Sequence, residues 1–213
     1  MKLVSTPRIE FLRTLAAEIL HNYGRGRTII AVDGSEIDGS EIDGSEKAGR
    51  VGFADDLAAV FRETEHTTFR ASLRNFQHSR AEQQRLGGDR VDVSERLYRV
   101  GYDYSALRRV LVEPFRLGGS TGFVTEEFDP DRDAWIQPTW QTAPADAILI
   151  VDGAYSNRPE LHGLWLFSVL LESEPGSDSD RQYLADVRPR DLVSAVVDNT
   201  NATLPRRVLT DRC

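Results

Sequence analysis

The sequence has 213 residues, of which 40% are hydrophobic and 28% are charged, and this suits one soluble α/β domain spanning residues 1–213. The formal net charge of −8 excludes a general nucleic-acid binder, whose affinity would depend on a basic surface. The single cysteine, Cys213, excludes an intrachain disulfide or a cysteine metal cluster, and charged residues in the first 20 positions exclude a signal or membrane-spanning segment. We therefore expect a cytoplasmic protein with a small-molecule ligand, without a nucleic-acid or membrane partner and without a metal centre of its own.

The first half of the chain alternates between helical and strand patterns. Apolar residues at helical spacing predict an amphipathic helix over 7–22, and the β-branched run at 27–32 predicts a central strand. A helix at 52–63 and a strand at 67–73 follow. Residues 74–98 are polar, and we predict irregular structure there with one helical turn at 80–85.

The second half continues this alternation. A helix is predicted over 105–112, ending before Pro114, and an edge strand or hairpin is predicted at 121–130. Strands are predicted at 147–151 and 164–172, then a helix at 180–189 and a final strand at 192–199. Apolar strands that alternate with helices indicate a parallel sheet covered on both faces.

A glycine-rich loop joins the first strand to the next helix. The acidic pentad DGSEI occupies 33–46 in three copies, the last without its Ile, and the chain continues as Lys-Ala-Gly-Arg-Val-Gly. A phosphate-binding loop has the pattern G-x-x-x-x-G-K-[ST], in which glycine amides wrap phosphates, Lys neutralises charge and the hydroxyl holds Mg²⁺. Gly44 and Gly49 have this spacing, but Arg50 and Val51 take the positions of the Lys and the hydroxyl.

Other interpretations of this loop stay open. The glycines are also compatible with a structural turn, and the repeat with a mobile acidic loop. Calcium binding by the repeat is a further alternative, although the spacing lacks the twelve-residue pattern of an EF-hand. The four histidines show no ligand spacing and do not predict a zinc site: His21, His66, His78 and His162.

Three segments together carry a family resemblance. They are GRVGFADDLA at 49–58, YDYSALRRVLVEPFRLGG at 102–119 and APADAILIVDGAYSNRPELHGLWLFSVLLE at 143–172. From Arg8 to Pro205 the chain resembles the uridine kinase / phosphoribulokinase-like family of P-loop kinases. The resemblance implies an α/β P-loop NTPase (Rossmann-like) three-layer fold, with a mainly parallel sheet and helices on both faces. It also implies phosphorylation of a nucleoside or similar hydroxyl acceptor with ATP and Mg²⁺.

The resemblance implies roles for particular residues. Asp152 would place Mg²⁺ through water, or would only form a turn with the next glycine. Asp103 would hold acceptor hydroxyls, or would cap the helix that follows it. Arg181 remains from the basic residues of a lid that is shortened to 172–181. The nucleotide phosphates would be held by the loop residues Gly44, Lys47, Gly49, Arg50, Val51 and Gly52.

Several positions depart from the family pattern. Arg74 stands where family members carry the acceptor-activating Asp, and an arginine does not accept a proton at neutral pH. Val51 offers no oxygen to Mg²⁺, and the carboxylates of the repeat oppose phosphate binding nearby. We therefore predict a uridine kinase-like nucleotide-binding protein whose phosphotransfer is weak or lost. The alternative is a non-catalytic pseudokinase that binds a ligand or acts as a scaffold.

Overall fold

A mainly parallel sheet organises the computed structural model, which describes residues 2–35, 49–88, 91–173 and 176–209. In chain order the strands of these ranges are β1 (Thr28–Asp33), β2 (Thr68–Ser72), β3 (Phe128–Asp129), β4 (Ala134–Trp135), β5 (Ile148–Asp152), β6 (Phe167–Glu172), β7 (Ala195–Asp198) and β8 (Arg206–Val208). Six of them form one sheet in the order β2-β5-β1-β6-β7-β8, in which only β8 is antiparallel to its neighbour. β3 and β4 form a separate hairpin.

Helices connect the strands. They are α1 (Pro7–Tyr23), α2 (Arg50–Glu63), α3 (Arg80–Gly87), α4 (Val93–Val100), α5, which runs continuously through Tyr104–Ala106, Leu107–Val112 and Glu113–Leu117, and α6 (Asp178–Val187). Short 3₁₀ turns occur at Leu73–Phe76, Pro159–Leu161 and Pro189–Asp191. Within the described ranges, every helix is too short or too polar to cross a lipid bilayer.

The two faces of the sheet bury separate apolar clusters. Successive residues of β1 point to opposite faces, so Ile30 packs with α1 and α2 whereas Ile29 packs with α5. β1 is buried along its whole length because β5 and β6 flank it in parallel. The predicted three-layer α/β fold with helices on both faces is confirmed.

The helical turn predicted at 80–85 is confirmed as part of α3, whereas the prediction of irregular structure is wrong for 93–98, which belong to α4. Both helices begin at side-chain caps: the Ser79 hydroxyl accepts a hydrogen bond from the Glu82 amide, and the Asp92 carboxylate accepts one from the Ser94 amide. α3 buries none of its residues, so its sequence carries no apolar period by which the helix is recognised.

Two further boundaries differ from prediction. The helix predicted to end before Pro114 continues to Leu117, because residues 107–112 adopt a π-helical turn in which the Glu113 amide bonds to the Arg108 carbonyl. This wider turn accommodates a ring that would disturb a regular α-helix. The strand predicted as the last is followed by β8, whose three residues are too few to show a strand period.

Candidate functional site

Two buried aspartates lie at the carboxyl ends of neighbouring central strands. Asp33 ends β1 and Asp152 ends β5, and their exposed fractions are 0% and 1%. The parallel register pairs Val32 with Asp152 and therefore brings the two aspartates to one edge of the sheet. Ligands of open α/β sheets bind at this edge. We therefore take it as the candidate site.

Asp152 is enclosed by two arginines and a hydroxyl. Arg70 Nη2 lies 2.7 Å from Asp152 Oδ1, and Arg50 Nε lies 3.5 Å from Oδ2. The Ser72 hydroxyl also donates to Oδ2, at 3.1 Å. Both carboxylate oxygens are thus engaged by groups of the protein, and two positive charges compensate one buried negative charge.

Arg50 reaches this cluster from the start of α2. Gly49 is the N-cap of the helix and Arg50 is its first residue, the position that the glycine pattern predicts for the phosphate-binding Lys. Arg50 Nη1 donates to the carbonyl of Ser35, so its guanidinium joins the loop after β1 to the end of β5. A planar fork can make both contacts at once, which a lysine ammonium cannot do with the same geometry.

Asp33 accepts hydrogen bonds from three directions. The Gly34 amide donates to Oδ1 at 2.9 Å, Asn157 Nδ2 donates to Oδ2 at 2.6 Å, and the Tyr183 hydroxyl also donates to Oδ2. Burial raises the pKa of Asp33, and these donors together with the charge of Arg50 oppose the rise. Burial and the Asp33 charge raise the pKa of Tyr183, so its hydroxyl stays protonated and donates.

The raised pKa of Asp33 predicts a pH dependence of stability. The folded protein holds this proton more tightly than the unfolded chain, so the associated stability is complete below the ordinary pKa of 3.8. It is lost as pH rises through the folded-state pKa.

Urea unfolding at a series of pH values should show that the free energy of unfolding depends less steeply on pH in Asp33→Asn than in the wild type, over the range above pH 3.8. Exposed Asp131 supplies the control, since Asp131→Asn should keep the wild-type slope. An equal slope in Asp33→Asn would contradict the assignment.

A third carboxylate ties the loop after β1 to α6. Asp180 Oδ2 accepts hydrogen bonds from the Ser35 hydroxyl at 2.6 Å and from the amides of Gly176 and Ser177 at 2.9 and 3.2 Å. Ser177 in turn caps the helix and forms a capping box with Asp180. The segment predicted as a shortened lid therefore contacts the entrance of the glycine loop directly.

A cavity of about 470 Å³ opens beside these contacts, at the carboxyl ends of β6 and β7. Its carboxylates are engaged by neighbours, because Glu172 pairs with Arg190 at 2.8 Å and Asp198 accepts from the Thr200 hydroxyl at 2.7 Å. None of the described residues that line it is basic. They are Gly34, Ser35, Leu170, Leu171, Glu172, Ser173, Asp180, Tyr183, Leu184, Asp198, Thr200 and Val208.

The remaining predicted site residues lie in different surroundings. Asp103 caps the start of α5, its Oδ1 accepting from the Ala106 amide at 2.9 Å. Arg181 is exposed on α6 and pairs with Asp178. Val51 and Gly52 belong to the first turn of α2, and the Val51 side chain is 39% exposed. Gly44 and Lys47 lie outside the described residues, as does the repeat beyond Ser35.

The sequence reasoning missed three residues of the site, namely Arg70, Asn157 and Tyr183. Arg70 did carry a signal, because an arginine inside the strand pattern T-F-R-A-S needs an acidic partner when it is largely buried. Arg74, predicted at the acceptor-Asp position, is exposed and pairs with Asp131 at 2.8 Å.

Solved structures of other proteins share the fold of this chain. No protein-family model and no curated protein matches the chain. A solved structure described as a possible uridine kinase from Bacillus stearothermophilus superposes with a TM-score of 0.70 at 19% identity, covering 90% of this chain and 97% of the other. A provisionally named fructose transport system kinase from Silicibacter sp. TM1040 superposes at 0.58 and 16% identity, with coverages of 91% and 86%. The chain has an α/β P-loop NTPase fold.

P-loop kinases bind a nucleotide together with Mg²⁺. The described residues suit a small-molecule ligand better than they suit the metal. Mg²⁺ prefers open oxygen ligands in octahedral geometry, whereas the oxygens of Asp152 are engaged by Arg50, Arg70 and Ser72, and Val51 has no oxygen to add. No group of three or more metal-ligating residues occurs in the described part of the chain. The arrangement does not fit Mg²⁺ at Asp152. The volume and the partly apolar walls of the cavity are typical of small-molecule sites.

Proposed function

We propose that this chain is a uridine kinase-like, nucleoside-phosphate-binding protein whose ATP-dependent phosphotransfer is weak or lost. The observation that carries the proposal is the pairing of Arg50 with Asp152, next to a cavity that stays open between β1, α6 and the ends of β6 and β7. The cavity supports a small-molecule ligand, and the ion pair between Arg50 and Asp152 supports weak or lost phosphotransfer.

The nucleoside part of the ligand suits the cavity. Leu170, Leu171 and Leu184 offer apolar surface to a base. Because the described walls are acidic, the phosphates belong outside the cavity, toward the first turn of α2, whose amide groups favour anions.

Phosphotransfer depends on positioning and on stabilisation of charge in the transition state. Three contributions are replaced here: the Mg²⁺ hydroxyl by Val51, the acceptor acid by Arg74 and an open carboxylate by an Asp152 that is bound to arginines. A lost transition-state contact costs roughly 2–4 kcal/mol, so the losses together reduce the rate by several orders of magnitude even when they are not additive.

Binding is tested by titrating the full chain with ATP and with uridine while thermal unfolding is followed. Ligand at a hundred times its Kd should add about 2.7 kcal/mol to the free energy of unfolding. Leu184→Trp fills the cavity and should weaken binding by about tenfold or more. Leu192→Trp is the matched control, because Leu192 is similarly exposed, at 49% against 40%, and is not part of the cavity wall. Equal binding by both variants would place the ligand elsewhere.

Phosphotransfer is tested separately, by following transfer of the γ-phosphate from ATP to uridine with Mg²⁺ present. We expect turnover far below the 1–10³ s⁻¹ that is typical of enzymes, on the order of a thousandfold or more. Ordinary turnover would contradict the proposed loss of activity, and the absence of any nucleotide or nucleoside binding would instead favour a scaffold.

A further inference from the structure

We propose that Arg70 is a built-in counter-cation that takes the place of a divalent metal at Asp152 and excludes it. The inference goes beyond the proposed function, because it concerns the protein without nucleotide and holds whichever nucleoside phosphate binds. Its consequence for the ligand is that binding does not require Mg²⁺.

Arg70 is held in place by contacts with every part of its guanidinium. Its Nε lies 2.8 Å from Asp55 Oδ1 on α2, and its Nη2 lies 2.7 Å from Asp152 Oδ1 on β5. Its Nη1 donates to the Ile150 carbonyl at 2.9 Å. The side chain is 18% exposed, so it is a fixed bridge between the edge strand β2, the helix α2 and the strand β5. Displacing it would break its contacts with α2 and β5 at once.

The other side of Asp152 is closed as well. Ser72 Oγ and Arg50 Nε approach Oδ2 at 3.1 and 3.5 Å. A divalent cation on Oδ1 would therefore lie directly beside the Arg70 guanidinium, in a region from which water is largely excluded and where repulsion between like charges is screened least. The contact of Arg50 is longer and is made to the other oxygen, so removal of Arg70 frees Oδ1 for a cation. Arg70 and Arg50 thus already place beside the Asp152 carboxylate the positive charge that a metal ion would supply.

This arrangement explains why the Arg50 substitution is compatible with a folded site. A buried Asp152 carboxylate without a cation would destabilise the fold. Arg70 supplies the compensating positive charge without a metal. Arg50 adds a second positive charge. Its Nη1 donates a hydrogen bond to the Ser35 carbonyl and not to a phosphate. Arg70 is accordingly a positioning residue, which acts on any ligand through Asp152.

The test is Mn²⁺ binding by the full chain without nucleotide, measured by electron paramagnetic resonance of free Mn²⁺ and by thermal unfolding. Wild type and Asp152→Asn should bind Mn²⁺ alike, whereas Arg70→Met should gain a site through the released Asp152. At a hundred times its Kd, Mn²⁺ should lower the unfolding equilibrium constant of Arg70→Met about a hundredfold. The double variant Arg70→Met/Asp152→Asn should lose this gain, which excludes the released Asp55 as its source. The carboxylates of the acidic repeat are the same in every variant, so any Mn²⁺ that they bind contributes equally to all of them and does not affect the differences between variants.

Three outcomes overturn the inference. The first is wild-type Mn²⁺ binding that Asp152→Asn abolishes, a comparison that does not depend on any Arg70 variant. The second is that Mn²⁺ does not raise the stability of Arg70→Met. This outcome counts whether or not the variant is folded without metal. The third is a Mn²⁺ site in Arg70→Lys equal to that in Arg70→Met, because lysine keeps the positive charge at this position.

Discussion

Replacing Asp152 with alanine should lower the free energy of unfolding by about 3–5 kcal/mol, because it leaves buried positive charge without its partner. Arg50 would be the more affected of the two arginines, since its side chain is 5% exposed and Asp152 is the acid with which it pairs in the described structure. Arg70 would keep its contact with Asp55. Urea unfolding at neutral pH measures the loss.

The matched control for this change is Asp131→Ala. Asp131 also pairs with an arginine, Arg74, at 2.8 Å, but the two side chains are 79% and 50% exposed. Exposed pairs contribute little, and the control should change stability by less than about 1 kcal/mol. Equal effects of the two substitutions would show that burial of the Asp152 cluster has no energetic consequence.

Replacing Gly153 with alanine should destabilise the protein by about 1–3 kcal/mol through steric overlap. A Cβ at this position would lie 2.6 Å from the Leu73 Cβ and would clash with the Cγ and Cδ1 of the same side chain. Leu73 is fully buried. The effect should also reach the candidate site, because Gly153 follows Asp152 and Leu73 follows Ser72. Denaturant unfolding gives the magnitude.

A double-mutant cycle identifies the cause. Leu73→Ala alone should destabilise by about 2–5 kcal/mol because it leaves a cavity in the core. In the double variant, the alanine at position 153 partly fills that space, so the combined loss should be smaller than the sum of the two single losses. Strict additivity would mean that the glycine is required for some reason other than contact with Leu73.

The sheet could be predicted from sequence where local pattern and burial agree. The β-branched run of β1 and the apolar run of β5 are short, buried on both faces and followed by Asp-Gly, so their strand character and their ends are visible in the chain. α3 was predicted only as a single turn because it is stabilised by caps and a surface ion pair, which leave no apolar period. β8 was missed because it is stabilised by pairing with β7, which leaves no apolar period either.

The candidate site could be predicted only in part. The helix after the glycine loop was predicted from residue 52, and it begins two residues earlier, at Arg50. The partners of Arg50 and Asp152 could not be predicted from local pattern. Arg70 is 82 residues from Asp152, and Tyr183 is 150 residues from Asp33, so these contacts exist only once the parallel strands are in register. The charge of the site is therefore a property of the fold.

Ser35 in the first pentad and Gly49 after the last one are both held by described residues. Ser35 is held by Asp180 and by Arg50, and Gly49 is held as the N-cap of α2. The entropy of joining two fixed points grows only with the logarithm of the connecting length, so gaining or losing one pentad changes its cost by about 0.3 kcal/mol. A change in the number of pentads should therefore be nearly neutral for folding, and the arginine–aspartate cluster should stay intact.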